Sequence, residues 1–94
     1  MADKRLEFLM TDKVAADMDR DQQFACEVAN IIFRFTCNDC GEITSDDYFA
    51  NKRALKEGGS IHGTYTTRNG TVCAICDDAL ANPKVTTIMY IEEV

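Results

Sequence analysis

The apolar positions of this chain follow two different periods. Leu6, Leu9, Met10, Val14 and Met18 recur at intervals of three and four residues, the repeat of an amphipathic helix, and Thr11 offers a cap for a fresh start within it. Asp19 with Gln22 three positions on resembles a capping box ahead of Phe24, Ala25, Val28 and Ile31, which predicts a second helix or a continuation of the first. From Ile31 the period shortens to two. Ile31, Phe33 and Phe35 alternate with Ile32, Arg34 and Thr36, predicting a strand that runs into the first pair of cysteines.

The second half carries clearer punctuation. Ser45 can cap a helix with Asp46 and Asp47 in its first turn, Lys52, Arg53 and Lys56 towards its end and Gly58-Gly59 as its stop, so a helix is expected over Ser45–Glu57. Asn69-Gly70 lies between two stretches rich in Thr, Tyr and Val, residues 61–68 and 71–75, and predicts a β-hairpin. A short helical turn over 77–82 ends at Pro83, and the alternation of Val85, Thr87, Met89 and Ile91 predicts a final strand over 84–92. No repeat or Pro/Gly/Ser linker interrupts the chain, so residues 1–94 read as one α+β domain. Residues 1–30 form a helical N-terminal segment with a mobile start, and residues 31–94 an α+β portion.

Size brings in the next consideration. A domain of 94 residues buries a limited share of its surface and gains much from a metal or disulfide staple. Five cysteines leave one unpaired in any disulfide scheme. Four of them fall into two Cys-x-x-Cys pairs, Cys37/Cys40 and Cys73/Cys76, the spacing of metal-binding turns rather than of secreted disulfide frameworks. Cys26, in the apolar run 24–29, is expected to be a buried free thiol. Two residues between cysteines let one tight turn aim two sulfurs at a tetrahedral zinc ion, and Gly41 after Cys40 suits the left-handed backbone of such a turn.

The stretches CNDCG (37–41) and CAIC (73–76) resemble the paired knuckles of the zinc-ribbon and treble-clef zinc-finger superfamily. That resemblance implies one structural Zn2+ held by Cys37, Cys40, Cys73 and Cys76, and a small zinc-stabilised α+β domain with an N-terminal helix or helices, a β-hairpin, two knuckles and a C-terminal strand. It specifies a class of site and not one function. His62, the only histidine, stands between the cysteine pairs and gives a partial resemblance to the His-Asn-His nucleases. It would be the single candidate general base, although Ile61 precedes it, Asn69 falls in the hairpin turn and a second histidine is lacking.

Other clusters have plainer readings. Asp17, Asp19 and Asp21 imitate the start of a calcium loop, but Gln22 stands where that loop needs glycine and Val28 where it needs glutamate, so a solvated helix face or cap is expected. Lys52, Arg53 and Lys56 complement the dipole at the end of their helix.

The formal charge of -6 steers basic protein surfaces towards the chain and phosphate backbones away, and Asp39, Glu42, Asp77 and Asp78 place acid beside the cysteines. The charged start, Met1 to Arg5, lacks a signal peptide's apolar stretch, and no window reaches the ~18 uninterrupted apolar residues of a membrane helix. A cytoplasmic location is expected. These features favour a non-enzymatic accessory protein that regulates or inhibits a larger machine by protein–protein binding, a profile that suits a phage or plasmid factor. Its contact would be the acidic surface near the cysteines or the segment 6–18, which could equally cover the core or form a homodimer. A nucleic-acid-binding zinc finger and a metal-dependent nuclease are the alternatives.

Overall fold

A computed structural model, which describes residues 5–94, has three α-helices and a four-stranded mixed sheet among those residues. The expectation of a mobile start falls on residues 1–4, outside the described part. The α+β class is as the sequence indicated.

The N-terminal segment is not wholly helical. Leu6–Met10 is a strand, β1, and Thr11 is the reason. Its extended backbone (φ -62°, ψ 159°) cannot lie inside a helix, and its hydroxyl accepts from the Val14 N–H as the cap of α1, Asp12–Arg20. The residues before the cap satisfy their backbone on the sheet instead. The alternation then buries Phe8 and Met10 partly against the core and leaves Leu9 in solvent.

The strand expected over 31–36 is also absent, because those residues complete α2, Gln22–Thr36. Asp21, rather than Asp19, caps this helix by accepting from the N–H groups of Gln23 and Phe24. Phe24, Val28, Ile31 and Phe35 form its buried stripe, and a stripe kept over about three turns outweighs a two-residue alternation six residues long. Cys26 stands about 200° round the helix from Phe24 and is exposed, not buried as expected.

The helix α3, Ser45–Glu57, forms over the expected residues and stops at Gly58, whose φ is 90°, but its cap is Thr44 rather than Ser45, the Thr44 hydroxyl accepting from the Asp47 N–H (3.1 Å). Strands β2, Ile61–Thr67, and β3, Gly70–Cys76, make the expected hairpin, running from Thr67 opposite Gly70 to Ile61 opposite Cys76. Residues 77–82 form turns rather than a helical turn. The last strand, β4, Lys84–Tyr90, ends earlier than the expected residue 92, in a 3-10 turn over Ile91–Glu93.

The strand order is β1-β4-β3-β2, with β1 parallel to β4 and the other pairs antiparallel. One face carries Ile61, Tyr65, Val72, Ala74, Cys76, Ile88 and Tyr90, and these pack with Val14, the α2 stripe and Ala54 of α3 into a single core. Burying each large apolar side chain there contributes about 1.5–3 kcal/mol. Phe24 stacks on Tyr90 at 5.9 Å between ring centroids. The other face presents His62, Thr64, Cys73, Ile75, Thr87 and Met89, of which Cys73 alone is buried. Among the described residues, no helix is long and apolar enough to cross a membrane.

Candidate docking groove and the placement of the cysteines

The stretch Cys37-Asn38-Asp39-Cys40-Gly41 is the C-terminal cap of α2 laid against the edge of the sheet. Asn38 adopts φ 66°, and the Asp39 and Asn38 N–H groups return to the carbonyls of Arg34 (2.8 Å) and Phe35 (3.0 Å). This paired closure leaves fewer orphan carbonyls at the helix end. The Arg34 guanidinium holds the Asp39 carboxylate through two contacts, Nε–Oδ2 2.8 Å and Nη2–Oδ1 3.3 Å, while it lies over the Tyr65 ring at 4.9 Å. Tyr65 donates its hydroxyl to the Asp39 carbonyl at 2.6 Å.

The chain then runs beside β2. The Thr64 N–H donates to the Cys40 carbonyl (2.9 Å) and the Glu42 N–H to the Thr64 carbonyl (2.7 Å), covering part of an edge that would otherwise be open to pairing. Gly41, at φ 71°, is required by that approach: a Cβ there would sit 2.2 Å from the Thr64 carbonyl oxygen.

Between this turn and α3 lies a groove of about 370 Å³ whose lining includes Asp39, Cys40, Ile43, Tyr48, Leu55 and Ile61. Asn51 closes its floor. This buried side chain donates from Nδ2 to the His62 carbonyl (2.8 Å) and accepts the His62 N–H at Oδ1 (3.1 Å), tying α3 to the exposed edge of β2. Tyr48 of the lining is 48% exposed, and Phe49, next to it on α3 but outside the lining, is 62% exposed and meets it edge to face at 5.4 Å. The Lys52 ammonium covers the Tyr48 ring at 5.3 Å. A second groove, beyond Leu55, continues the apolar surface to Leu80 and Leu6.

Two shifts mark the wall of the groove. Arg34, with help from the Gly41 N–H, holds the Asp39 carboxyl below its usual range. Burial pushes the Cys40 thiol up, against a smaller opposing effect of a hydrogen bond with Asn51.

The four cysteines singled out in the sequence are spread over three environments. Cys37 is exposed at the end of α2, Cys40 is half-buried in the groove wall, and Cys73 and Cys76 are both buried in β3. Cys76 faces the core with Val72 and Ala74, whereas Cys73, three residues before it, faces the other side of the sheet beside Thr64 and Met89. Burial raises the Cys73 thiol pKa, opposed by a hydrogen bond with Thr64. Among the described residues, no group of three or more Cys, His, Asp or Glu side chains is placed to hold a metal ion. The arrangement does not fit a four-cysteine zinc site, because one strand presents two of the thiols to opposite faces.

The remaining candidates have structural partners or stand apart. Asp17 accepts from the Tyr90 hydroxyl, and Asp21 caps α2 and pairs with Arg68 at 3.2 Å. His62 is exposed on the open face of β2 and, among the described residues, no carboxylate hydrogen-bonds to its ring. Lys52, Arg53 and Lys56 line a shallow surface along the solvent side of α3. Sequence reading missed Asn51, Tyr48 and Leu55. The adjacent exposed aromatics and an asparagine at a helix's inward position were the available signals, but neither has a motif's spacing.

Comparison with protein-family models, with curated proteins and with solved structures finds no match to this chain.

Proposed function

We propose that this domain is a non-enzymatic accessory protein that binds another protein through the groove between the 38–43 turn and α3, and thereby regulates or inhibits a larger machine. The observation that carries this reading is the exposed Tyr48 ring in the lining of an apolar groove, with the exposed Phe49 ring against it. Aromatic side chains that already sit in solvent bring large contact area with little rotamer freedom to lose, the profile of residues that dominate binding energy at interfaces. The wall behind them is held by the Arg34–Asp39 contacts and the pairing with β2, so ordering it on binding costs little.

Charge selects the partner. Glu42, Asp46 and Asp47 are exposed close to the groove in sequence, and the chain carries a formal charge of -6. A segment bearing an apolar side chain flanked by Lys or Arg complements both features.

The test is affinity capture with wild-type chain, a Tyr48→Asp variant and a Lys52→Gln/Arg53→Gln/Lys56→Gln variant. One partner retained by the wild type and the triple variant but lost with Tyr48→Asp supports protein docking. DNA or RNA affinity that falls steeply with salt and disappears in the triple variant would replace this reading with nucleic-acid binding.

A further inference from the structure

We infer that this domain holds its fold without zinc, the two Cys-x-x-Cys pairs doing separate structural work. The second pair decides the matter. In a tetrahedral site with sulfur–zinc distances near 2.3 Å, any two sulfurs lie about 3.8 Å apart. Cys73 and Cys76 sit on one extended strand with the backbone of β3 between their side chains, and Cys76 is fully buried in the core.

Bringing those sulfurs together would break the pairing of Thr64 with Cys73 and Ile61 with Cys76 on one side, and of Met89 and Thr86 with the same residues on the other. It would also withdraw Cys76 from its contacts with the core. The first pair needs no ion either. The closure of α2 at Asn38, the Arg34–Asp39 contacts and the Tyr65 hydroxyl on the Asp39 carbonyl already hold the turn that a metal knuckle would otherwise organise. Cys37 points into solvent from that turn. The spacing that resembles a zinc finger thus arises from a helix cap and a strand that each happen to carry cysteines three residues apart.

The inference is independent of the docking reading and is tested on the full chain, reduced and purified after growth with added zinc. Three measurements decide it: elemental analysis, thermal unfolding by circular dichroism with and without chelator, and mass-spectrometric mapping of native-state alkylation by iodoacetamide. The expected result is well under one zinc per chain, an unfolding midpoint unmoved by chelator, and Cys37 alkylated as readily as Cys26 while Cys76 reacts only on denaturation. Cys37→Ala should shift the midpoint by no more than about 2 °C, as for an ordinary exposed position. One zinc per chain, with chelator collapsing the helical signal and Cys37 protected until chelator is added, overturns the inference. The alkylation pattern is read on the unmutated protein, so a variant that fails to fold leaves the answer intact.

Discussion

Arg34 and Asp39 meet across the turn that closes α2, Nε to Oδ2 at 2.8 Å, and the same guanidinium covers the Tyr65 ring at 4.9 Å. One side chain therefore joins the helix end, the groove wall and the second strand of the sheet. Donation from Arg34, then from the Gly41 N–H, lowers the Asp39 pKa in the folded state. A carboxylate whose folded pKa lies below its unfolded value adds stability above the unfolded pKa, and that stability is lost as pH falls through the folded value. Unfolding midpoints of the wild type should thus fall below about pH 4, the ordinary aspartate range. Asp39→Asn, lower in midpoint at neutral pH, should show a shallower acid slope. Parallel slopes for the two proteins would remove Asp39 from the acid transition.

Gly41 supports a sharper comparison. At φ 71°, with a would-be Cβ 2.2 Å from the Thr64 carbonyl oxygen and 2.7 Å from the Tyr65 ring, Gly41→Ala must push the turn off β2. The expected loss in urea unfolding is about 2–4 kcal/mol, combining left-handed strain with displaced hydrogen bonds. Gly59 also has positive φ, 109°, but open space around it, so Gly59→Ala should cost only about 1 kcal/mol. Equal losses at the two sites would mean that the close approach at Gly41 adds nothing.

What the sequence conveyed and what it withheld divide along physical lines. Signals that act within four residues were legible: Thr11 caps a helix, Asn69-Gly70 turns a hairpin and Gly58 stops α3. Leu6 to Met10 read as helix because apolar spacing over five residues suits either period, and only the parallel pairing with β4, nearly eighty positions away, selects strand. Residues 31–36 failed for the opposite reason. A local alternation concealed the end of a longer stripe that began at Phe24. In the groove, Asp39 and Cys40 were in view as part of a cysteine motif. Asn51 and Tyr48 were not, since their role depends on where α3 lands against β2.

Tyr90 closes a second network, at the far end of the sheet. Its hydroxyl donates to Asp17 at 2.5 Å and accepts from Asn69 at 3.4 Å, joining α1, β4 and the hairpin turn. Burial, then the bond to Asp17, pushes its pKa up to about 12. A group whose folded pKa is raised contributes stability that is complete below the unfolded pKa, about 10 for tyrosine, and is lost as pH rises through the folded value. Wild-type stability should therefore decline from about pH 10 upward, with a smaller contribution to that decline in Tyr90→Phe. At neutral pH that variant should lose about 1–2 kcal/mol in urea unfolding, for the bonds removed from a buried site. An unchanged alkaline profile in Tyr90→Phe would assign the decline to other groups.

His62 and Asn51 separate a backbone role from a side-chain one. Asn51 grips the His62 N–H and carbonyl, not the imidazole, and the ring projects from the open face of β2 into solvent. Asn51→Leu keeps the volume but leaves both backbone groups without that partner beneath α3, and should cost about 2–3 kcal/mol. His62→Ala preserves the backbone pair and should stay within about 0.5 kcal/mol of wild type, as for an exposed position. The same variant bears on catalysis. Divalent-ion-dependent cleavage of DNA by the wild type that vanished in His62→Ala, with the fold intact by circular dichroism, would make the imidazole a general base and displace the docking reading. Indistinguishable behaviour of the two proteins in stability and in nuclease assay would leave position 62 with only the duty its backbone performs, holding α3 in place so that Tyr48 and Leu55 line the groove.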